Sequence, residues 1–266
     1  MHLFDMNDVL IQLVLPFFLS ALIVVLITVV AEKFGTKVGG ILGTLPSTII
    51  VAYVFIALNK GVDFASNSVS VVPAEMGVNL VFLVLFIYLL YRSLNVALIV
   101  GFSFWIVLSS ILYLTDLQDI YISFLVYSVS MFATFVLLER VVKIKSVSKR
   151  KVHYTTRKIL FRGVLTGFII TISVLLSNVG EVLSGIFSIF PAIFTSTMII
   201  TYRDHGPDFS AGMAKSMILG SWSVMSYAVA IHFLYPLYGI LVGSIVGFLF
   251  SLFVTVVIFL LRERIS

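Results

Sequence analysis

Apolar residues run along this chain in blocks of roughly twenty, broken by short polar stretches. Twenty residues is about the length that carries a helix across a hydrocarbon core. About nine blocks can be marked on that length scale: 9–31, 38–59, 69–91, 94–114, 119–141, 159–177, 182–201, 210–234 and 237–261. They predict an all-α polytopic membrane protein. Outer-membrane strands would read as short alternating segments, so a β-barrel is excluded.

Composition sharpens the class. Of 266 residues, 61% are hydrophobic and 11% charged, against about a quarter charged in ordinary soluble domains. The opening "MHLFDMNDVLIQLVLPFFLS" has neither a basic n-region nor a small-residue cleavage site, so the first block predicts a retained helix. With no cysteine, disulfides, thiol catalysis and thiolate metal sites are excluded. The formal charge of +5 reads as topology and calls for no nucleic-acid partner. Its basic residues concentrate at 142–162, where Lys143, Lys145, Lys149, Arg150, Lys151, Arg157, Lys158 and Arg162 occur without an acid. Such a segment stays in the cytoplasm. The N-terminus then falls outside and the C-terminus inside. Lys33, Lys37, Arg92, Arg203, Arg262 and Arg264 fall inside, and Asp5, Asp8, Asp116, Asp119 and Glu181 outside, with Lys60 the exception. The organisation read from this is a first membrane repeat at 1–141, a basic cytoplasmic linker at 142–158 and a second membrane repeat at 159–266.

Residues 35–66, "GTKVGGILGTLPSTIIVAYVFIALNKGVDFAS", align without a gap on residues 180–211, "GEVLSGIFSIFPAIFTSTMIITYRDHGPDFSA". Gly35, Gly40, Pro46, Gly61, Asp63 and Phe64 fall on Gly180, Gly185, Pro191, Gly206, Asp208 and Phe209. The same offset sets the first block on the sixth and the fourth on the ninth. An odd number of spans separates equivalent positions, so the second copy enters the membrane upside down, as in inverted-repeat transporters. At the level of architecture the pattern resembles the small secondary transporters built from inverted five-helix repeats, such as the drug/metabolite superfamily. That resemblance implies alternating access and no particular substrate.

The chemistry is sparse. Pro46 and Pro191 lie near the centres of their blocks, and each frees a carbonyl four residues earlier, at Leu42 and Phe187. Inside a bilayer such irregular backbone must face protein or a watery cavity. Thr44, Ser47 and Thr48 in one copy, and Ser188 and Thr195 in the other, are the expected polar lining of a central substrate site. Glycines or serines every four residues (Gly35, Gly39, Gly43; Gly180, Ser184, Ser188) allow close helix approach. Glu75, one turn before Asn79, is the expected coupling residue. It either carries a proton or binds a cation with Asn79 and hydroxyls, unless its helix starts later and leaves it in an outer vestibule. Ser221 and Trp222 are further candidates for the lining. Lys215 either snorkels or partners an anion. Asp63 and Asp208 read as N-caps behind helix-ending glycines. Asp204, His205 and Asp208 form no recognised metal spacing, and no Walker A, G-x-S-x-G or G-x-G-x-x-G occurs.

The function expected from the sequence is a secondary-active transporter of a small solute or ion, with no enzymatic activity and no cofactor. A passive channel and a non-transporting scaffold or accessory subunit are the alternatives. Expected partners are the lipid bilayer and a small solute or ion with a coupling proton or Na+; a homo-oligomer is compatible with the pattern. The expected location is a prokaryotic plasma membrane, as a multi-pass protein.

Overall fold

The computed structural model describes residues 10–43, 45–138 and 155–265. Thr44 and most of the basic linker lie outside the described residues. The chain is helical throughout, with no strand among the described residues: α1 (Leu10–Val14, a π-helical turn), α2 (Leu15–Gly43), α3 (Ser47–Lys60), α4 (Val62–Val69), α5 (Val72–Leu89), α6 (Leu94–Leu114), α7 (Ile120–Val136), α8 (Thr156–Leu176), α9 (Glu181–Ser188), α10 (Ala192–His205) and α11 (Pro207–Ile265). Among the described residues, six segments are long and apolar enough to cross a membrane: Leu10–Val29, Val62–Leu89, Leu94–Leu114, Thr156–Leu176, Glu181–His205 and Pro207–Ile258. Ser47–Lys60 and Ile120–Val136 are shorter apolar helices.

The α4–α5 segment forms the middle of the bundle. Every residue from Ser68 to Leu80 is buried, and so are Phe82, Leu83, Phe86 and Ile87. A helix that is apolar all round is one enclosed on all sides. α6, α7, α9 and α11 pack against α5. Glycines set two of these approaches: a Cβ at Gly77 would lie 2.9 Å from Ser130 Oγ on α7, and one at Gly101 on α6 would lie 2.9 Å from the Phe82 ring. The outward faces are equally apolar. Ile99, Ile106 and Val107 on α6, Leu125, Val129 and Phe132 on α7, and Leu160, Val164 and Phe168 on α8 are exposed. Apolar residues spread over the outside of successive helices suit lipid and not water.

Three corners share one backbone conformation. Gly61 (φ 93°, ψ 167°) joins α3 to α4, Gly206 (φ 84°, ψ −176°) joins α10 to α11, and Gly239 (φ 73°, ψ −177°) divides α11. This region is essentially restricted to glycine. At Gly239 the helix doubles back, so that Gly243 meets the Tyr235 ring, Gly247 meets Tyr227 and Ile231, and Ser251 Oγ donates to the Ser223 carbonyl (2.8 Å). A Cβ at Gly239 would meet no neighbour, so Gly239→Ala isolates the backbone term. It is expected to destabilise the protein by about 1–3 kcal/mol in detergent unfolding, and wild-type stability would contradict the strained corner.

Two expectations change. A break was expected near 32–37, but α2 runs through it as one helix of 29 residues, about 43 Å long. The equivalent stretch of the second half, Ser177–Asn178–Val179–Gly180, is a turn. Glu32 and Lys33 stand where the second half has the turn-forming Ser177 and Asn178, and they sustain a helix better than those do. Asp63 and Asp208 are also not N-caps: Gly61 holds that position for α4, and both acids sit in the first turn of their helices. There they oppose the positive end of the helix dipole.

Hydrogen bonds sort the connections into two ends. Gln12 Nε2 donates to Asn59 Oδ1 (2.7 Å), Asn59 Nδ2 to Ser177 Oγ (2.8 Å), and Asn178 Nδ2 to Gln12 Oε1 (2.9 Å). Lys158 pairs with Asp204, and Tyr91 Oη donates to Asp208 Oδ1 (3.0 Å). The 21 residues of α8, about 32 Å, carry Lys158 in the first turn and end at the cap residue Ser177.

Candidate functional site

The site is built on the interruption between α9 and α10. α9 has only eight residues, and its neighbours hold it through small side chains. Ser173 Oγ of α8 donates to the Ser184 carbonyl (2.9 Å), and Ser184 Oγ donates back to the Ser173 carbonyl (3.0 Å). Ser68 Oγ of α4 donates to the Glu181 carbonyl (2.9 Å). Gly185 lies directly on the Ser68 carbonyl, where a Cβ has no room.

After Ser188 the helix stops. The Ala192 N–H donates to the Phe190 carbonyl across Pro191 (2.6 Å), with Pro191 at φ −73°, ψ 40°. The Ser47 N–H likewise donates to the Leu45 carbonyl across Pro46 (2.8 Å), with Pro46 at φ −78°, ψ 42°. These are inverse γ-turns centred on proline, whose ring already sets the required φ. The prolines therefore begin new helices, so both blocks are broken at the proline, as expected.

The expected orphan carbonyl also moves. Phe187 accepts from the Phe190 N–H (3.2 Å) as α9 closes tightly. It is the Ile189 carbonyl that takes a side chain, the Asn79 Nδ2 of α5, at 2.9 Å. Asn79 thus ties the central helix to the break. Glu75 is one turn away on the same face of α5. It is fully buried. Ser109 Oγ of α6 donates to Glu75 Oε1 (2.9 Å). Glu75 Oε2, Asn79 Oδ1 and the Trp105 indole nitrogen are buried without a hydrogen-bond partner. Trp105 stands edge-on to Phe187 and Phe190, at centroid distances of 6.0 and 4.9 Å. α5, α6 and the α9–α10 break therefore enclose one carboxyl, one amide and one indole.

A second polar focus adjoins the same break. Tyr53 of α3, beside Ser68 and Ser188, is fully buried, as are Tyr227 and Tyr235 of α11. Tyr235 Oη and Ser244 Oγ are 2.8 Å apart, while the hydroxyls of Tyr53 and Tyr227 have no partner.

The expected site residues divide accordingly. Asn79, Glu75, Ser188 and Pro191 gather at the break, although Ser188 Oγ is engaged with the Gly185 carbonyl (2.6 Å). Thr195 follows one turn into α10, its buried hydroxyl without a partner. Pro46 is buried, Ser47 and Thr48 are half-buried, and among the described residues no hydrogen bond joins the two breaks. Ser221 and Trp222 meet α7. Ser221 Oγ lies 2.8 Å from Tyr127 Oη, and Trp222 stands edge-on to the Tyr127 ring. α7 approaches α5 at Gly77, whose nearest neighbours are Ser130 and Tyr127. The Ser221–Trp222 pair joins α11 to α7 through Tyr127. Lys215 is half-buried in α11.

Sequence reasoning missed Trp105, Ser109 and Tyr53. The available signal was spacing: Trp105 and Ser109 repeat on α6 the one-turn interval of Glu75 and Asn79 on α5. Asn79→Leu keeps the volume and removes the amide. Leaving the Ile189 carbonyl unpaired is expected to cost about 1–3 kcal/mol in equilibrium unfolding. An unchanged midpoint would show that the bond to Ile189 carries no weight.

A family model described as a protein of unknown function (DUF3147) matches residues 13–118 and, a second time, residues 159–264. No curated protein and no solved structure matches the chain.

Proposed function

The chain belongs to the DUF3147 family, with two family segments in one chain, and from that premise we propose that it is a secondary-active transporter working by alternating access in a prokaryotic plasma membrane. Two copies of one segment are the raw material of an inverted repeat, and local geometry supports pairing them. Pro46 and Pro191 have nearly the same φ and ψ, as do Gly61 and Gly206. Asn59 lies at the Gln12–Ser177 end, whereas its repeat equivalent Asp204 pairs with Lys158 at the other end of α8. Opposite ends for equivalent residues are what an inverted second copy requires. Counted through its corners, the chain makes nine passes in this reading, with the N-terminus outside and the C-terminus inside.

The observation that carries the proposal is the Asn79–Ile189 bond. It joins the interrupted helix to the central helix that holds the buried carboxyl. An interruption at depth costs backbone hydrogen bonds, and an intramembrane carboxyl marks an ion or substrate path by default. In this reading the break and Glu75 form one mechanical unit: ion exchange at the carboxyl shifts the balance between inward-open and outward-open packings, and solute binds beside the break.

Reconstituted protein is expected to give saturable, gradient-driven uptake and counterflow exchange across a panel of small polar solutes. Pro46→Ala and Pro191→Ala should each lower the flux, because either permits a continuous helix. Conductance without counterflow would favour a channel, and no flux with any solute would favour a scaffold. Silence of both proline variants would reduce the prolines to packing devices.

A further inference from the structure

Glu75 Oε2 and Asn79 Oδ1 are both acceptors, both fully buried, both without a donor, and one turn apart on one face of α5. Both atoms lack a donor or a cation, and the Trp105 N–H that faces the carboxyl completes no hydrogen bond with it. Their surroundings point to the cation. The groups facing the Glu75 carboxyl are the Ser109 hydroxyl and the Trp105 indole, both neutral. The Ile189 carbonyl at the C-terminal end of α9 adds a further oxygen and the negative end of a helix dipole. Uncompensated charge is costly in a closed interior, so the favoured occupant leaves the site neutral. A single carboxylate balances a single positive charge. Among the described residues, no cluster of three His, Asp or Glu side chains exists to hold a divalent ion.

Resting on the transporter reading above, we propose that Glu75, Asn79, Ser109 and the Ile189 carbonyl bind a dehydrated monovalent metal cation, Na+ by preference, as the coupling ion. Hard oxygen donors from a carboxylate, an amide, a hydroxyl and a backbone carbonyl suit such an ion. Carbonyls at the ends of interrupted helices commonly serve it in this way. A proton competes for the same carboxyl oxygen, so Na+ binding weakens in acid.

The chain has two tryptophans, one of which stands at this site. Trp222→Phe therefore leaves Trp105 as the sole indole reporter. Titrating this variant with NaCl against N-methyl-glucamine chloride at constant ionic strength is expected to give a saturable fluorescence change specific to Na+. The half-saturating concentration should rise about tenfold per pH unit once the proton competes. Glu75→Gln should abolish the change, and Asn79→Leu should weaken it by about tenfold or more. The unsubstituted protein gives an independent readout: its unfolding temperature should rise in NaCl and not in N-methyl-glucamine chloride. Identical responses in both salts would overturn the proposal, including a signal that follows pH alone and marks a proton site. That outcome leaves the transporter reading standing. The transporter reading fails separately, if proteoliposomes show no gradient-driven flux.

Discussion

Glu75→Gln is expected to abolish accumulation of solute against a gradient while leaving the fold and facilitated exchange intact. Glutamine keeps the side-chain volume, and its amide oxygen can still accept from Ser109 Oγ, which now lies 2.9 Å from Glu75 Oε1. What it removes is the exchangeable charge. One unit charge moved through about 100 mV is worth about 2.3 kcal/mol, which sustains a solute gradient of about fiftyfold. The variant should bring that ratio to about one, and counterflow measured in the same vesicles should persist. Loss of counterflow together with accumulation would indicate a collapsed site. Full accumulation would remove Glu75 from the coupling step.

The second large effect is structural. Gly185→Val is expected to destabilise the protein by about 3 kcal/mol or more, at the upper end of overpacking, and to stop transport. The added Cβ falls on the Ser68 carbonyl and on Val71 Cγ1. Backbone cannot rotate out of the way as a side chain can. Because α9 is held by close helix approach on both sides, displacing it also pulls the Ile189 carbonyl from Asn79. Gly180→Ala is the control. Its φ of 172° is extended backbone, and a Cβ there meets nothing within 4 Å. That variant should stay within about 0.5 kcal/mol of wild type in thermal unfolding. Equal stability of the two variants would contradict the crossing at Gly185.

Much of this was legible because membrane helices announce themselves. The apolar blocks, the corners at Gly61 and Gly206, the interruptions at Pro46 and Pro191 and the placing of Glu75 and Asn79 inside a helical span all follow from local rules of length and backbone freedom. What was not legible depends on rotation. α5 is apolar all round, so nothing in its sequence says which face meets which neighbour. Glu75 therefore gave no hint of Ser109, and Asn79 none of a carbonyl 110 residues away. The contacts of Ser221 and Trp222 were not legible for the same reason. A hydroxyl and an aromatic ring suit a cavity and a helix contact equally, and here they make the contact with Tyr127. The continuity of α2 was missed because the polar residues Glu32, Lys33, Thr36 and Lys37 interrupt the apolar run and read as a loop, whereas Glu and Lys sustain a helix.

The absence of cysteine permits a test that needs no known substrate. A single cysteine replaces Ser109, which faces Glu75. A lipid-facing cysteine at Val107 and a loop cysteine at Asp116 serve as controls. Each variant is treated with a membrane-impermeant maleimide in right-side-out and in inverted vesicles. Alternating access predicts alkylation of Ser109→Cys from both faces, with Val107→Cys unreactive and Asp116→Cys labelled from one face only. Labelling of Ser109→Cys from one face alone, or from neither while Asp116→Cys reacts, would contradict a site that opens in turn to the two sides of the membrane.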